Sequence, residues 1–189
     1  MATQPRPVYF SFTAPTITDS TVEKLLAACS AAVTNGATSI HLALTTFGGN
    51  VPYAIAALNA LMALPVPLTT YNTANVGSSG NLIFLAGERR IMSRHATFFF
   101  HPVSITPTNS APIYEASIAQ ILEDIQRQTD TILQIVTART GMSLDQARIL
   151  HARETTLKAE ESLALGIAHQ IDELRIPHEA LFHQIITGA

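Results

Sequence analysis

Asn75-Val76-Gly77-Ser78-Ser79-Gly80 separates two segments of opposite character. Residues 65–74 (PVPLTTYNTA) before it are rich in β-forming residues, and residues 81–86 (NLIFLA) after it are apolar enough for a buried helix. A serine at such a strand-to-helix corner exposes its hydroxyl beside unpaired N–H groups, which is what an oxyanion requires. The simpler interpretation is that Ser78 and Ser79 cap the helix, because serine is preferred there.

A second corner contains two glycines. Residues 39–45 (SIHLALT) form an apolar run of strand length, and Gly48-Gly49 separates it from residues 51–64, where alanine and leucine favour a helix. Glycines let the backbone turn tightly and let another group approach it closely. The recurrence of strand, glycine corner and helix predicts an α/β fold with parallel strands, whose carboxyl ends carry the functional sites. The pattern lacks the third glycine of a dinucleotide site and the lysine of a P-loop.

A third strand is predicted at residues 97–100 (TFFF), and it ends at His101, just before Pro102 stops regular pairing. A histidine at the carboxyl end of a strand, beside the two glycine corners, is well placed to act as a base. Lone histidines more often only satisfy a backbone group, so this residue alone decides nothing.

The remaining helices have clear boundaries. Residues 19–35 form a helix capped by Thr18 or Asp19, and a terminal helix is predicted from about His178 after a strand at residues 167–171. Residues 113–139 read as one helix of roughly 40 Å with an apolar stripe. A helix of that length exceeds what a small core can cover, so we expect part of it to meet another subunit of a homo-oligomer.

Composition limits the function further. The 189 residues are 47% hydrophobic and 13% charged, which suits a single domain over residues 1–189. A net charge of −3 with two lysines argues against nucleic acid as a partner. The single cysteine, Cys29, excludes an internal disulfide and fits a reducing compartment. No signal peptide or apolar run of about 18 residues is visible, so we expect a cytoplasmic protein without membrane contact.

In order and spacing, these corners resemble the Clp protease proteolytic subunit (ClpP) family of the ClpP/crotonase superfamily. Thr46-Phe47-Gly48-Gly49 resembles the family's Ser-Pro-Gly-Gly, and Gly77-Ser78-Ser79-Gly80 its Ala-Ser-Met-Gly corner. Phe99-Phe100-His101-Pro102 is similar to Met-Ile-His-Gln, and residues 140–144 to Thr-Gly-x-Ser-Leu. The resemblance covers residues 39–166. It implies a fold of repeated strand-strand-helix units with a long protruding helix.

The resemblance also implies a function. Ser78 would be the nucleophile of a serine peptidase, His101 its base, and the N–H groups of Gly49 and Ser79 its oxyanion hole. Peptides would be the substrates, the subunits would form a homo-oligomeric ring, and neither a cofactor nor a metal would be needed. The family's N-terminal segment, which forms axial loops, is largely missing before the first strand, which argues against docking of an ATPase partner.

One position departs from the family pattern. Leu150 stands where the family has its catalytic aspartate, and the polar residues nearby are Asp145, His151 and Glu154. We expect Glu154, the nearest carboxylate downstream, to orient His101. A serine–lysine pair through Lys158 is weaker, because that lysine falls in a solvated turn.

Two functions of other classes stay open. The chain could be a catalytically silent ClpP-like scaffold subunit that keeps the fold for assembly. It could also be a crotonase-type acyl-CoA enzyme, although such chemistry usually needs carboxylates near the oxyanion hole, and the corners contain none.

Overall fold

The computed structural model describes residues 6–105 and 114–187. The strands are β1 (Arg6–Ala14), β2 (Ala37–Thr46), β3 (Leu68–Gly77), β4 (Arg89–Met92), β5 (Thr97–Phe100), β6 (Thr155–Leu157), β7 (Gln170–Ile171) and β8 (Leu181–Ile185). The helices are α1 (Asp19–Thr34), α2 (Val51–Met62), α3 (Gly80–Leu85), α4 (Glu115–Thr140), α5 (Leu144–Ala152) and α6 (Ala159–Ala164). The predicted α/β class is confirmed.

The described strands form one sheet in the order β6-β5-β3-β2-β1-β8, with β4 and β7 attached beside β3. All pairings are parallel except that of β5 with β6. Strand β3 changes partner along its length, since Thr69 to Asn72 pair with β4 and Asn75 to Gly77 pair with β5. The carboxyl ends of β2, β3 and β5 therefore lie side by side.

The local signals predicted most helix boundaries. Thr18 caps α1 as expected, because its hydroxyl accepts from the Thr21 N–H at 3.2 Å within a capping box. Helix α1 packs on β1 and β2, while α2 packs on α1 and α3. The core between these layers contains fully buried side chains such as Phe12, Leu42 and Phe98.

The long helix is present as α4, which has 26 residues. Its predicted first residue, Ile113, and most of the predicted loop at residues 104–112 lie outside the described residues. Only its last turns are buried, through Ile132, Leu133 and Val136, and Ile118 and Leu122 are more than half exposed nearer its start. Among the helices of the described ranges, none combines the length and apolarity that a membrane crossing needs.

The predicted terminal helix from about His178 is wrong. The chain turns at Pro177, whose carbonyl accepts from the Ala180 N–H at 3.0 Å, and then forms strand β8, which runs parallel to β1 from Val8 to Phe12. Without β8, strand β1 would be a sheet edge with unpaired backbone groups, and this tertiary pairing overrides a weak helical pattern. The strand predicted at residues 167–171 shortens to β7 for a related reason, since only its last two residues reach β4.

Strand β4, which the sequence pattern did not predict, places a charged side chain in the core. Arg90 is only 3% exposed and donates to the carbonyls of Ile167 (2.8 Å), Arg139 (2.8 Å), Gly166 (3.0 Å) and Gly87 (3.3 Å). Burial and the nearby Arg139 lower the pKa of Arg90 to about 10, so it keeps its proton at neutral pH. This guanidinium therefore joins the ends of α3, α4 and α6 without a carboxylate partner among the described residues.

We expect Arg90→Ala to lower the free energy of unfolding by at least about 3 kcal/mol, because each buried carbonyl left unpaired costs about 1–3 kcal/mol. The matched control is Arg89→Ala, an exposed neighbour, which should change it by less than about 0.5 kcal/mol. Urea unfolding at one fixed protein concentration measures both. Equal effects of the two variants would contradict the role given to Arg90.

Candidate active site

The three corners that the sequence singles out meet in one cavity of about 70 Å³. Its walls come from residues after β2, β3 and β5, with apolar side chains of α3 and α4 behind them. Its polar lining residues are Ser78, Ser79, Asn81, His101, Ser104 and His151. Sites at the carboxyl ends of parallel strands are the expectation for this kind of sheet.

The corner after β3 holds Ser78 in an unusual backbone conformation. Its φ is +54°, a left-handed value that non-glycine residues adopt at a cost of roughly 1–3 kcal/mol. Two bonds to the Phe99 carbonyl fix it, one from the Ser78 N–H at 2.7 Å and one from Asn81 Nδ2 at 2.9 Å. Both bonds therefore link the corner to the end of β5.

The structure does not support capping as the reason for the serine pair. Ser79 occupies the cap position of α3, yet its side chain makes no cap hydrogen bond. Its hydroxyl instead donates to the Gly49 carbonyl at 3.1 Å and is buried. The Ser78 side chain is partly exposed and lines the cavity. Of the two hydroxyls, only that of Ser78 is free to act on a ligand.

The glycine corner after β2 is pressed against Ser78. A Cβ on Gly48 would lie 2.5 Å from Ser78 Cβ and 2.8 Å from the Gly77 carbonyl oxygen, and Gly48 has a φ of +99°. A Cβ on Gly49 would lie 2.4 Å from the Ile17 carbonyl oxygen, and its φ is +152°. Both positions require glycine, for space as well as conformation.

Hydrogen bonds of the glycine corner leave one N–H unused. Ile17 donates to the Gly48 carbonyl at 2.8 Å and accepts from the Asn50 N–H at 3.0 Å, on either side of Gly49. Among the hydrogen bonds of the described residues, none uses the N–H of Gly49 or of Ser79. Two free backbone donors beside a hydroxyl are the components of an oxyanion hole.

His101 follows β5 directly and lines the same cavity. Its ring stacks on that of Phe99, with centroids 5.4 Å apart and planes at 23°. In the described part of the chain no hydrogen bond joins the Ser78 hydroxyl to this imidazole. Such bonds are often long in unliganded enzymes and tighten only with substrate, so the geometry is compatible with a nucleophile and its base.

The structure does not bring Glu154 to the cavity. Glu154 is exposed in the turn between α5 and β6, has a φ of +48°, and is absent from the lining residues. Leu150 is buried in the hydrophobic core. The residue of this region that does line the cavity is His151, which the sequence analysis named but did not assign to the site. No local signal in the sequence marks it, because the packing of α5 on α4 decides which of its side chains enters the cavity.

The pKa of His151 lies below its ordinary value, first because the ring is buried and second because the charge of His101 acts on it. It is therefore neutral at pH 7.

By contrast, burial raises the pKa of the Cys29 thiol to about 12, so this cysteine is protonated and unreactive.

A larger cavity of about 510 Å³ lies elsewhere, between α1, β1 and β8. Its polar lining residues are Arg6, Asn35, His183 and Gln184. Serine, threonine, cysteine and tyrosine are all missing from its described lining, so it offers no nucleophile of the kind found at Ser78. The smaller cavity, by contrast, is lined by both Ser78 and His101.

Comparison with known proteins agrees with this fold. The structure of a ClpP1 mutant from Listeria monocytogenes superposes with a TM-score of 0.73 at 19% sequence identity, covering 89% of this chain and 91% of that one. At that identity the likeness concerns the fold. The family model of Clp protease matches residues 11–175, which include all three corners. The chain belongs to the Clp protease family.

Proposed function

We propose that the protein is a serine peptidase in which Ser78 is the nucleophile and His101 the base. The observation that carries the proposal is the meeting of three strand ends in one cavity, which supplies a hydroxyl, an imidazole and two free backbone donors. Membership of the Clp protease family supports the same chemistry.

The mechanism follows from these groups. Ser78 Oγ attacks the carbonyl carbon of the scissile peptide bond while His101 takes its proton. The N–H groups of Gly49 and Ser79 stabilise the oxyanion, and the amine leaves with the proton that His101 returns. Water then attacks the acyl-enzyme with the same base, which releases the acid and restores Ser78.

The substrate is an extended peptide. The cavity is small, and its walls include Leu82, Ile132 and Val136, so it suits one apolar side chain next to the scissile bond rather than a folded surface. We expect slow cleavage of short unstructured peptides and little or no cleavage of folded proteins.

Replacing Ser78 by alanine should abolish labelling by a fluorophosphonate probe, because the probe reacts only with an activated serine. Thermal stability should change by the equivalent of about 1 kcal/mol or less, since no hydrogen bond of the Ser78 hydroxyl is lost. Intact mass spectrometry of the labelled protein and a thermal melt measure the two effects. Labelling of Ser79 in this variant would instead place the nucleophile one position later.

A second function is favoured by one observation. Carboxylates are absent from the described lining of the cavity, and a catalytically silent scaffold subunit would need none. A wild-type oligomer that hydrolyses no peptide and stays unlabelled between pH 6 and 9 would overturn the peptidase proposal in favour of the scaffold.

Gly48 offers a test of the corner geometry that leaves all reacting groups in place. Gly48→Ala should lose most peptidase activity and labelling, because its Cβ would press on Ser78. The matched control is Gly36→Ala, which has a similar φ of +83° but nothing within 4 Å. It should destabilise the fold by about 1 kcal/mol through backbone strain alone and keep full activity per folded molecule. Similar activities of the two variants, measured with a fluorogenic peptide, would show that contact with Ser78 is unimportant.

We also propose that the protein assembles into a homo-oligomeric ring through α4. Ile118, Leu122 and Tyr114 are more than half exposed at or near the start of this helix, and exposed apolar surface of this kind favours association. Ile118→Asp combined with Leu122→Asp should reduce the mass measured by light scattering at micromolar concentration. The matched control is Glu123→Gln, an exposed polar change on the same helix, which should leave the mass unchanged. A wild-type protein of monomeric mass would contradict the proposal.

A further inference from the structure

A second imidazole stands in the cavity with an unsatisfied nitrogen. His151 belongs to the last turn of α5 and is only 9% exposed, and its Nε2 is buried without a hydrogen-bond partner among the described residues. A buried polar atom without a partner costs about 1–3 kcal/mol and in native proteins has a reason. A function in the site would supply that reason.

The described lining of the cavity brings no carboxylate to His101. Of the described residues that line the cavity, His101 and His151 are the only two with an acidic or basic side chain. The elements packed around it, α2, α3, α4 and the segments after β2 and β3, bring no Asp, Glu, Lys or Arg to its lining. The group that orients the base must therefore be neutral or lie outside this lining.

We propose that His151 orients His101 for the reaction of Ser78, so that the site uses a serine and two histidines. The inference rests on the peptidase function proposed above. When a substrate is bound, the neutral His151 accepts the N–H of one His101 ring nitrogen through the lone pair of Nε2, which has no partner among the described residues of the unliganded site. The other ring nitrogen of His101 then faces Ser78 without a proton and can take the hydroxyl proton. His151 is a positioning residue: it gains no proton and breaks no bond.

The pKa of His151 fits this role. Burial first, and the charge of His101 second, hold it below the ordinary histidine value. The ring is therefore an acceptor throughout the neutral range, and it loses that lone pair only when the pH falls below this lowered pKa.

A cap at the start of α5 and core packing along it hold His151 in place. Ser143 starts the helix with a capping box, accepting from the Gln146 N–H at 3.2 Å and donating its own N–H to Gln146 Oε1 at 2.9 Å. Ala147, one turn before His151, and Leu150 anchor the helix in the hydrophobic core. A side chain on such a packed helix is a suitable support for a catalytic base.

His151→Ala should lower kcat by at least about tenfold with KM nearly unchanged, because the interaction matters mainly in the transition state. The loss should stay below the ~10⁴-fold that removal of an orienting carboxylate costs in a serine protease. The matched control is His95→Ala, the same change at an exposed position outside the cavity, which should keep the wild-type kcat. A thermal melt and the oligomeric mass of both variants check that each is folded.

The pH profile separates positioning from mere packing. In His151→Asp a carboxylate faces His101 and favours its imidazolium form, so the acid limb of kcat/KM should move to higher pH than in the wild type. This variant should also recover activity relative to His151→Ala, because a carboxylate also accepts the N–H of His101. A residue that only fills space, beyond hydrogen-bond reach of His101, would give neither the shift nor the recovery.

The outcomes separate this inference from the peptidase proposal. Wild-type protein that binds no fluorophosphonate and cleaves no peptide refutes the peptidase itself. Wild-type activity that His151→Ala leaves unchanged, or an acid limb that is the same in His151→Asp and His151→Ala, refutes only the positioning role. A loss of kcat in Glu154→Gln with none in His151→Ala would return that role to Glu154.

Discussion

The close approach of the Gly48 backbone to Ser78 is the constraint on which the site depends. Strands β2 and β3 pair in parallel up to Thr46 and Val76, with a register shift just before this pair, and the two corners then leave the sheet together. They can do so only because nothing larger than hydrogen separates Gly48 from the serine. Gly49, the next residue, lines the same cavity as Ser78, so the packing of two strands brings together the groups of the proposed oxyanion hole.

Two further sets of hydrogen bonds fix the elements that carry the two histidines. The Phe99 carbonyl receives both bonds of the serine corner, and His101 follows two residues later, so β5 and the corner cannot move independently. Arg90 fixes the wall of the cavity that α4 and α5 form. By binding the Arg139 carbonyl near the end of α4, it fixes the helix that leads through Gly141 into α5 and so into His151. A buried cation bound only to carbonyls is stable here because its donors satisfy carbonyl oxygens at the ends of three helices, of which that of Gly87 also accepts from Arg139.

Local patterns predicted much of this, and long-range pairing explains what they missed. The corners at Gly48 and Ser78 and the strand before His101 are decided by glycine, serine and aromatic residues within a few positions, so their placement was predictable. Strand β8 was predicted as a helix because its reason for being extended is the open edge of β1, at the opposite end of the chain. The position of His151 was unpredictable for the same reason, since only the packing of α5 on α4 decides which of its side chains enters the cavity.

A neutral imidazole next to the proposed base costs less free energy to bury than a carboxylate would. The back of the cavity is apolar, with Ile132 and Val136 from α4, and a carboxylate buried there would lose hydration that few polar neighbours could replace. His151 avoids that cost because its resting state carries no charge. In the proposed mechanism the consequence is weaker stabilisation of the His101 imidazolium in the transition state, since a lone pair attracts it less than a full negative charge. In the proposed peptidase, the cavity would avoid a buried carboxylate at a cost in rate.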